Sequence, residues 1–215
     1  MADDPGLADR GRPRSPAHDF ESSYAGTPPW DIGRPQPTFA ALAQAGRIVG
    51  RVLDAGCGTG EHALLAARLG LDTVGIDIAP SAIAKAKQKA AGTGLPVQFV
   101  VGDILALPNM AEVVDGFDTV LDSGLFHVFD DDDRALYIRA LHAALRPGGR
   151  LLLMCFSDRE PGTWGPRRVT ETELRMSFAD GWRIAAITPS TFDIVVDIPD
   201  MPSKANAWLL ECARV

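Results

Sequence analysis

The stretch Leu53-Asp54-Ala55-Gly56-Cys57-Gly58-Thr59-Gly60 sets a carboxylate and three alternating glycines at the end of a short apolar run. Glycines at that spacing let a backbone turn sharply after a strand and lie against a ligand where a Cβ would collide. A second carboxylate, Asp77, closes Thr73-Val74-Gly75-Ile76-Asp77, about 20 residues after the first glycine. A carboxylate at that distance can accept both ribose hydroxyls of an adenosine. Together the two features point to a nucleoside-containing cofactor. A dinucleotide fingerprint has its third glycine one residue later than Gly60, and Glu61 occupies a first helical turn where a pyrophosphate needs positive potential. A cationic or zwitterionic cofactor fits better than NAD.

Two further aspartates follow apolar runs, in Gly102-Asp103-Ile104 and Asp122-Ser123-Gly124. Ligands of parallel sheets bind beyond the carboxyl ends of the strands. The candidate cofactor-binding set is therefore Asp54, Gly56, Cys57, Gly58, Asp77, Ile78, Asp103, Ile104, Asp122 and Ser123. Any one of these aspartates also reads as a turn or helix-cap residue; four at successive strand ends favour a site. His127, in Ser123-Gly124-Leu125-Phe126-His127-Val128-Phe129, is the candidate catalytic residue, either as a general base or as a group that orients substrate. His62 and His142 fall in predicted helices and read as structural or exposed. Tyr24, Phe126, Phe129, Phe156 and Trp164 are the candidate acceptor-binding residues, because aromatics in loops near strand ends suit a flat, apolar acceptor. Trp30 and Trp164, flanked by glycine or proline, read as lid or wall, whereas Trp182 reads as core. Asp130 to Asp133 read as a solvated helix start with no metal site, and Arg134, Arg167 and Arg168 as surface.

The elements that position these residues alternate. Apolar runs predict strands near 51–55, 72–77, 97–101, 117–122, 150–156, 182–196 and 204–213; helices are expected near 38–45, 60–69, 80–91, 131–145 and 170–178, with a weak one near 109–114. Strand–helix alternation implies α/β architecture with a doubly wound, Rossmann-like sheet. Residues 1–19 lack large apolar side chains and are expected to be a disordered tail. Residues 20–215 are expected to form one domain, with 20–50 as a lid segment.

A net charge of −7 offers no footprint for nucleic acid or an anionic membrane. No apolar run approaches the roughly 18 residues of a membrane span. Cys57, Cys155 and Cys212 are odd in number and scattered, which predicts reduced thiols, no metal and a cytoplasmic protein. A monomer or weak homodimer is expected.

The glycine motif resembles motif I of the class I S-adenosylmethionine (SAM) methyltransferases. The resemblance implies a seven-stranded sheet, mostly parallel with one antiparallel strand, and SAM as cofactor with S-adenosylhomocysteine as product. It also implies that Asp77 binds ribose, that Asp103 and Ile104 hold adenine, and that the glycine loop and Asp122 lie along the methionine portion. The segment Thr27-Pro28-Pro29-Trp30-Asp31-Ile32-Gly33-Arg34-Pro35-Gln36-Pro37 looks like the lid of the thiopurine and halide/thiol methyltransferases, in which the Trp covers the cofactor. With the His127 loop and Trp164-Gly165-Pro166-Arg167-Arg168-Val169-Thr170, it is similar to actinobacterial small-molecule methyltransferases that act on heterocyclic toxins and hydroxyquinolones. That implies detoxifying methylation at oxygen or nitrogen of a small aromatic. The alternatives are a thiol, thiopurine or halide enzyme of the same fold, and a non-catalytic SAM-binding module.

Overall fold

A computed structural model describes residues 20–113, 115–195 and 203–215; the expected tail, 1–19, lies outside them. Seven strands form one sheet: β1 Val52–Ala55, β2 Thr73–Asp77, β3 Val97–Val101, β4 Phe117–Ser123, β5 Leu145–Phe156, β6 Trp182–Asp193 and β7 Lys204–Arg214. Their order is β3-β2-β1-β4-β5-β7-β6, so the order reverses between β1 and β4. The pairs along β3-β2-β1-β4-β5 are parallel, and β7 runs antiparallel to both β5 and β6. This is the expected architecture, with its single antiparallel strand.

The helices are α1 Phe20–Ser23, α2 Pro37–Gln44, α3 Glu61–Arg68, α4 Pro80–Thr93, α5 Asp131–Ala144 and α6 Glu171–Ser177. Every residue of β1 and β2 is buried, as a sheet covered on both faces requires. Successive residues of one strand supply opposite faces. Val120 and Leu151 join a core with Leu141 of α5 and Trp208, while Leu121 and Leu152 join a second core with Phe39 of α2 and Ala66 of α3.

Three expectations shift. β5 begins at Leu145, which pairs with Phe117, and the bulge before the Thr119–Arg150 pair absorbs the Pro-Gly-Gly turn. The weak helix near 109–114 is replaced by two 3-10 turns, Ile104–Asn109 and Ala111–Val113; Pro108, lacking an N–H, cannot close an α-helical bond to Ile104 in the first of them. The strand expected to reach residue 196 ends at Asp193.

Candidate functional site

The β1 carboxyl end turns at Gly56, Gly58 and Gly60, all at positive φ (67°, 53° and 87°). At Gly58 a Cβ would lie 2.8 Å from the Tyr24 hydroxyl, and at Gly60 2.6 Å from the Phe99 ring, so side chains there would force lid and sheet apart. Asp77 Oδ2 accepts from the Gly58 N–H at 2.8 Å and Oδ1 from the Ala79 N–H at 2.9 Å. The carboxylate thus fixes the loop as well as facing the cleft. Asp54 Oδ2 accepts from the Ala63 N–H at 2.8 Å, tying the first turn of α3 to β1. Glu61 is paired with Lys89 at 2.5 Å, and Lys89 also donates to Thr59 Oγ1 at 2.8 Å.

A cavity of about 770 Å³ opens over this loop, large enough for a cofactor and a small acceptor together. Gly56, Cys57, Gly58, Asp77, Ile78, Asp103, Ile104 and Ser123 line one end, with Tyr24 and Trp30 above them. His127, Phe129, Phe156, Trp164 and Phe192 line the other. Asp103 is turned partly to its own backbone, accepting from the Leu105 N–H at 3.1 Å.

Three candidates do not reach the cavity wall. Asp54 is 1% exposed and is consumed by its helix N-terminus. Asp122, fully buried, accepts from the N–H groups of Leu125 and Phe126 at 2.7 and 3.1 Å and from the Tyr137 hydroxyl at 2.9 Å. It builds the His127 loop from beneath. Phe126 points the other way, under the Arg134 guanidinium (4.5 Å) and against Phe178, because residues 126–128 form a tight 3-10 turn that sends adjacent side chains to opposite sides. Tyr24 also changes place. It lines the cavity over the glycine loop, where its hydroxyl accepts from Trp30 Nε1 at 3.1 Å.

Arg134 is not a surface residue. It is 5% exposed, donates to the Phe129 carbonyl and lies 3.7 Å from Glu173. Arg167 bridges Asp131 and Glu173, and Arg168 binds the carbonyls of Trp164 and Pro166, shaping its own loop. Trp182 is core, as expected.

The lid is stitched to the far edge of the sheet by a residue the sequence did not single out. The Gln36 side chain donates to the Asp193 carbonyl at 2.9 Å and accepts from the Asp193 N–H at 2.8 Å. Asp31 accepts from Thr59 Oγ1 at 2.9 Å, so the lid holds the glycine loop as well. His62 Nε2 accepts from the Gln36 N–H at 3.1 Å, and burial pushes its pKa down to about 4. Phe192 was missed too, because alternation cannot tell an edge strand's cavity-facing ring from a core one. The Pro35-Gln36-Pro37 setting was the only available signal for Gln36.

Burial dominates the electrostatics. It raises Asp54 and Asp122 each to about 7, with backbone N–H bonds opposing it, and raises Asp77 in the same way. An ordinary carboxylate in an unfolded chain titrates near 4. The folded protein therefore retains protons that the unfolded chain releases, and the stability from Asp54 and Asp122 is full below about pH 4 and lost as pH rises through about 7. The melting temperature of the ligand-free protein is expected to fall between pH 5 and pH 7.5, and to fall less steeply in Asp54→Asn. An unchanged slope in that variant would refute the assignment. Burial also raises the Cys57 thiol, consistent with a packing residue. Among the described residues no cluster of His, Cys, Asp or Glu could hold a metal, and no helix is long and apolar enough to cross a membrane.

Comparison with known proteins gives three findings. Residues 52–149 match the family described as methyltransferase domain. A 2-heptyl-1-hydroxyquinolin-4(1H)-one methyltransferase of Mycobacteroides abscessus is 39% identical over 80% of this chain and 79% of that protein, and a probable thiol methyltransferase of Arabidopsis thaliana is 31% identical over 72% and 68%. A solved structure from work on conversion of a disulfide bond into a thioacetal group during echinomycin biosynthesis superposes with a TM-score of 0.82, at 39% identity over 91% of each chain.

Proposed function

The chain belongs to the SAM-dependent methyltransferases, and from that premise we propose that it methylates an oxygen or nitrogen of a small aromatic or heterocyclic acceptor such as a phenol or hydroxyquinolone. The observation that carries this reading is the aromatic end of the cavity. The Phe156 and Phe192 rings are stacked at 5.9 Å, and Trp164 meets Phe156 edge-on at 5.6 Å. These rings form an apolar wall matched to a flat acceptor. The hydroxyquinolone methyltransferase with 39% identity supports the same acceptor class.

The cofactor end suits SAM in charge and shape. A permanent cation gains from the Asp77 carboxyl group on the cavity wall, beside a loop that would clash if Gly58 carried a side chain. In this reading Asp77 holds the ribose hydroxyls, Asp103 and Ile104 flank adenine, and Ser123 and the glycine loop border the methionine portion. When bound, SAM supplies an electrophilic methyl group on a sulfonium. The chain's own contribution is to align the acceptor by the aromatic wall and to exclude water with the lid of Tyr24, Trp30 and Gln36.

A thiol, thiopurine or halide acceptor is the second reading, supported by the thiol methyltransferase relative and by the solved structure from work on disulfide-to-thioacetal conversion. Transfer of a labelled methyl group from SAM to a hydroxyquinolone, a simple phenol, an aromatic thiol and iodide separates the two. Label on the hydroxyquinolone or phenol is the expected result. Label confined to the thiol or iodide would replace it with the second reading.

A further inference from the structure

The His127 ring is held in one tautomer by the backbone. The Phe156 N–H, on the last residue of β5, donates to His127 Nδ1 at 2.9 Å, so a lone pair occupies that nitrogen and the neutral ring carries its proton on Nε2. The ring is 7% exposed and stands edge-on to Phe156 at 5.4 Å and Phe192 at 6.1 Å. Turning the ring over would put a carbon against the Phe156 N–H and orphan it. A general base needs a lone pair to receive the proton. Here Nδ1 has committed its lone pair, and protonating it would set two N–H groups against each other. His62, the other imidazole lining the cavity among the described residues, has its Nε2 occupied by the Gln36 N–H and is held neutral by burial. Among the described residues, charged groups that line the cavity from the elements beside His127 include Asp130, which caps α5 by accepting from the Asp133 N–H, Asp133 itself, and Asp193, which pairs with Arg34.

We propose that His127 is a hydrogen-bond donor through Nε2–H to an acceptor atom that is already anionic, so that the enzyme selects acceptors by their acidity. The proposal rests on the oxygen-or-nitrogen reading above. The acceptor's proton leaves to bulk solvent before binding. The lone pair of the resulting O⁻ or N⁻ forms the new bond to carbon as the carbon–sulfur bond breaks, both electrons pass to sulfur, and Nε2 keeps its proton throughout. His127 thereby orients the anion and favours it over the neutral acceptor, whose oxygen accepts only a weaker, uncharged hydrogen bond. Acidic hydroxy-heterocycles are the matching substrate class, and an unactivated phenol, with a pKa of about 10, is a poor one at neutral pH.

The test is kcat/KM against pH for a series of substituted phenols of graded acidity, with wild type, His127→Ala and His127→Gln. The expected acid limb rises tenfold per pH unit and levels at each acceptor's own pKa, so its position moves along the series. His127→Ala should lower the plateau about 10- to 100-fold without moving the limb, the loss appropriate to one hydrogen bond to a charged group. His127→Gln, which retains a donor, should recover part of it. Retention of the SAM-induced rise in melting temperature shows that the variants are folded. A limb fixed at one pH for every acceptor and abolished in His127→Ala, or a Gln variant no better than Ala, would overturn the donor role. If no phenol takes label but thiols do, the oxygen-or-nitrogen reading falls, and the same limb read on thiophenols decides the role of His127.

Discussion

Asp77→Ala is expected to weaken SAM binding roughly 10²- to 10³-fold while leaving a folded protein. A hydrogen bond to a charged group contributes about 1.5–3 kcal/mol, and a carboxylate spanning two ribose hydroxyls makes two. Water replacing the carboxylate offsets part of a sum of about 3–6 kcal/mol, and the remaining loss of about 3–4 kcal/mol converts to that factor at about 1.4 kcal/mol per tenfold. The structure adds a second route to the same outcome, because Asp77 also anchors the Gly58 N–H at 2.8 Å and so sets the loop on which the cofactor rests. The Gly58 bond to Asp77 is only partly buried on the cavity wall, where water can replace the carboxylate, so the cost to the fold is expected to be smaller than the cost to binding. Calorimetric titration of SAM, beside a melting curve without it, reads the two separately. Unchanged affinity in this variant would show that the ribose assignment is wrong.

Asp122→Ala is expected to do the reverse and cost about 3–6 kcal/mol of stability. It strands the Leu125 and Phe126 N–H groups and leaves the Tyr137 hydroxyl without its acceptor, all in a fully buried site. Each orphaned buried group costs about 1–3 kcal/mol, and water entering the vacated space offsets part of the sum. Against a total stability of about 5–15 kcal/mol, this is enough to threaten folding at physiological temperature. Burial raises the Asp122 carboxyl to about 7, so part of its population carries a proton at neutral pH, and Asp122→Asn should be milder than Asp122→Ala. Urea denaturation at pH 7 measures both. A loss below about 1 kcal/mol in the Ala variant would place Asp122 outside the load of the His127 loop and return it to the cofactor.

The contrast between these aspartates shows where the sequence stopped being informative. Asp54, Asp77, Asp103 and Asp122 look alike along the chain, each a carboxylate at the end of an apolar run. Whether such a group faces a ligand or a helix N-terminus depends on which backbone N–H groups reach it, and those lie up to nine residues away for Asp54 and fifteen, as a hydroxyl, for Asp122. The same holds for Arg134. Its place in a first helical turn reads as surface until α6 brings Glu173 to within 3.7 Å and covers it.

What the sequence determined by itself is what local spacing can carry. Period-2 and helical alternation gave the strands and helices of a doubly wound sheet, and alternating glycines after a strand gave the loop, because φ near +60° and close approach demand glycine whatever surrounds it. A nucleoside-containing cofactor other than a dinucleotide followed from Asp77 and from Glu61 in the place where a phosphate would sit, and methyl transfer was implied by the resemblance of the glycine motif to the class I methyltransferases. Tertiary structure decided the rest: that Phe192 and Gln36 reach the cavity from β6 and the segment before β1, that Phe126 turns away, and that a backbone N–H holds His127 Nδ1. The last of these depends on one N–H from Phe156, 29 residues along the chain. A tautomer is set by the partner that space supplies, and no pattern of residue types encodes which of two ring nitrogens that partner will meet.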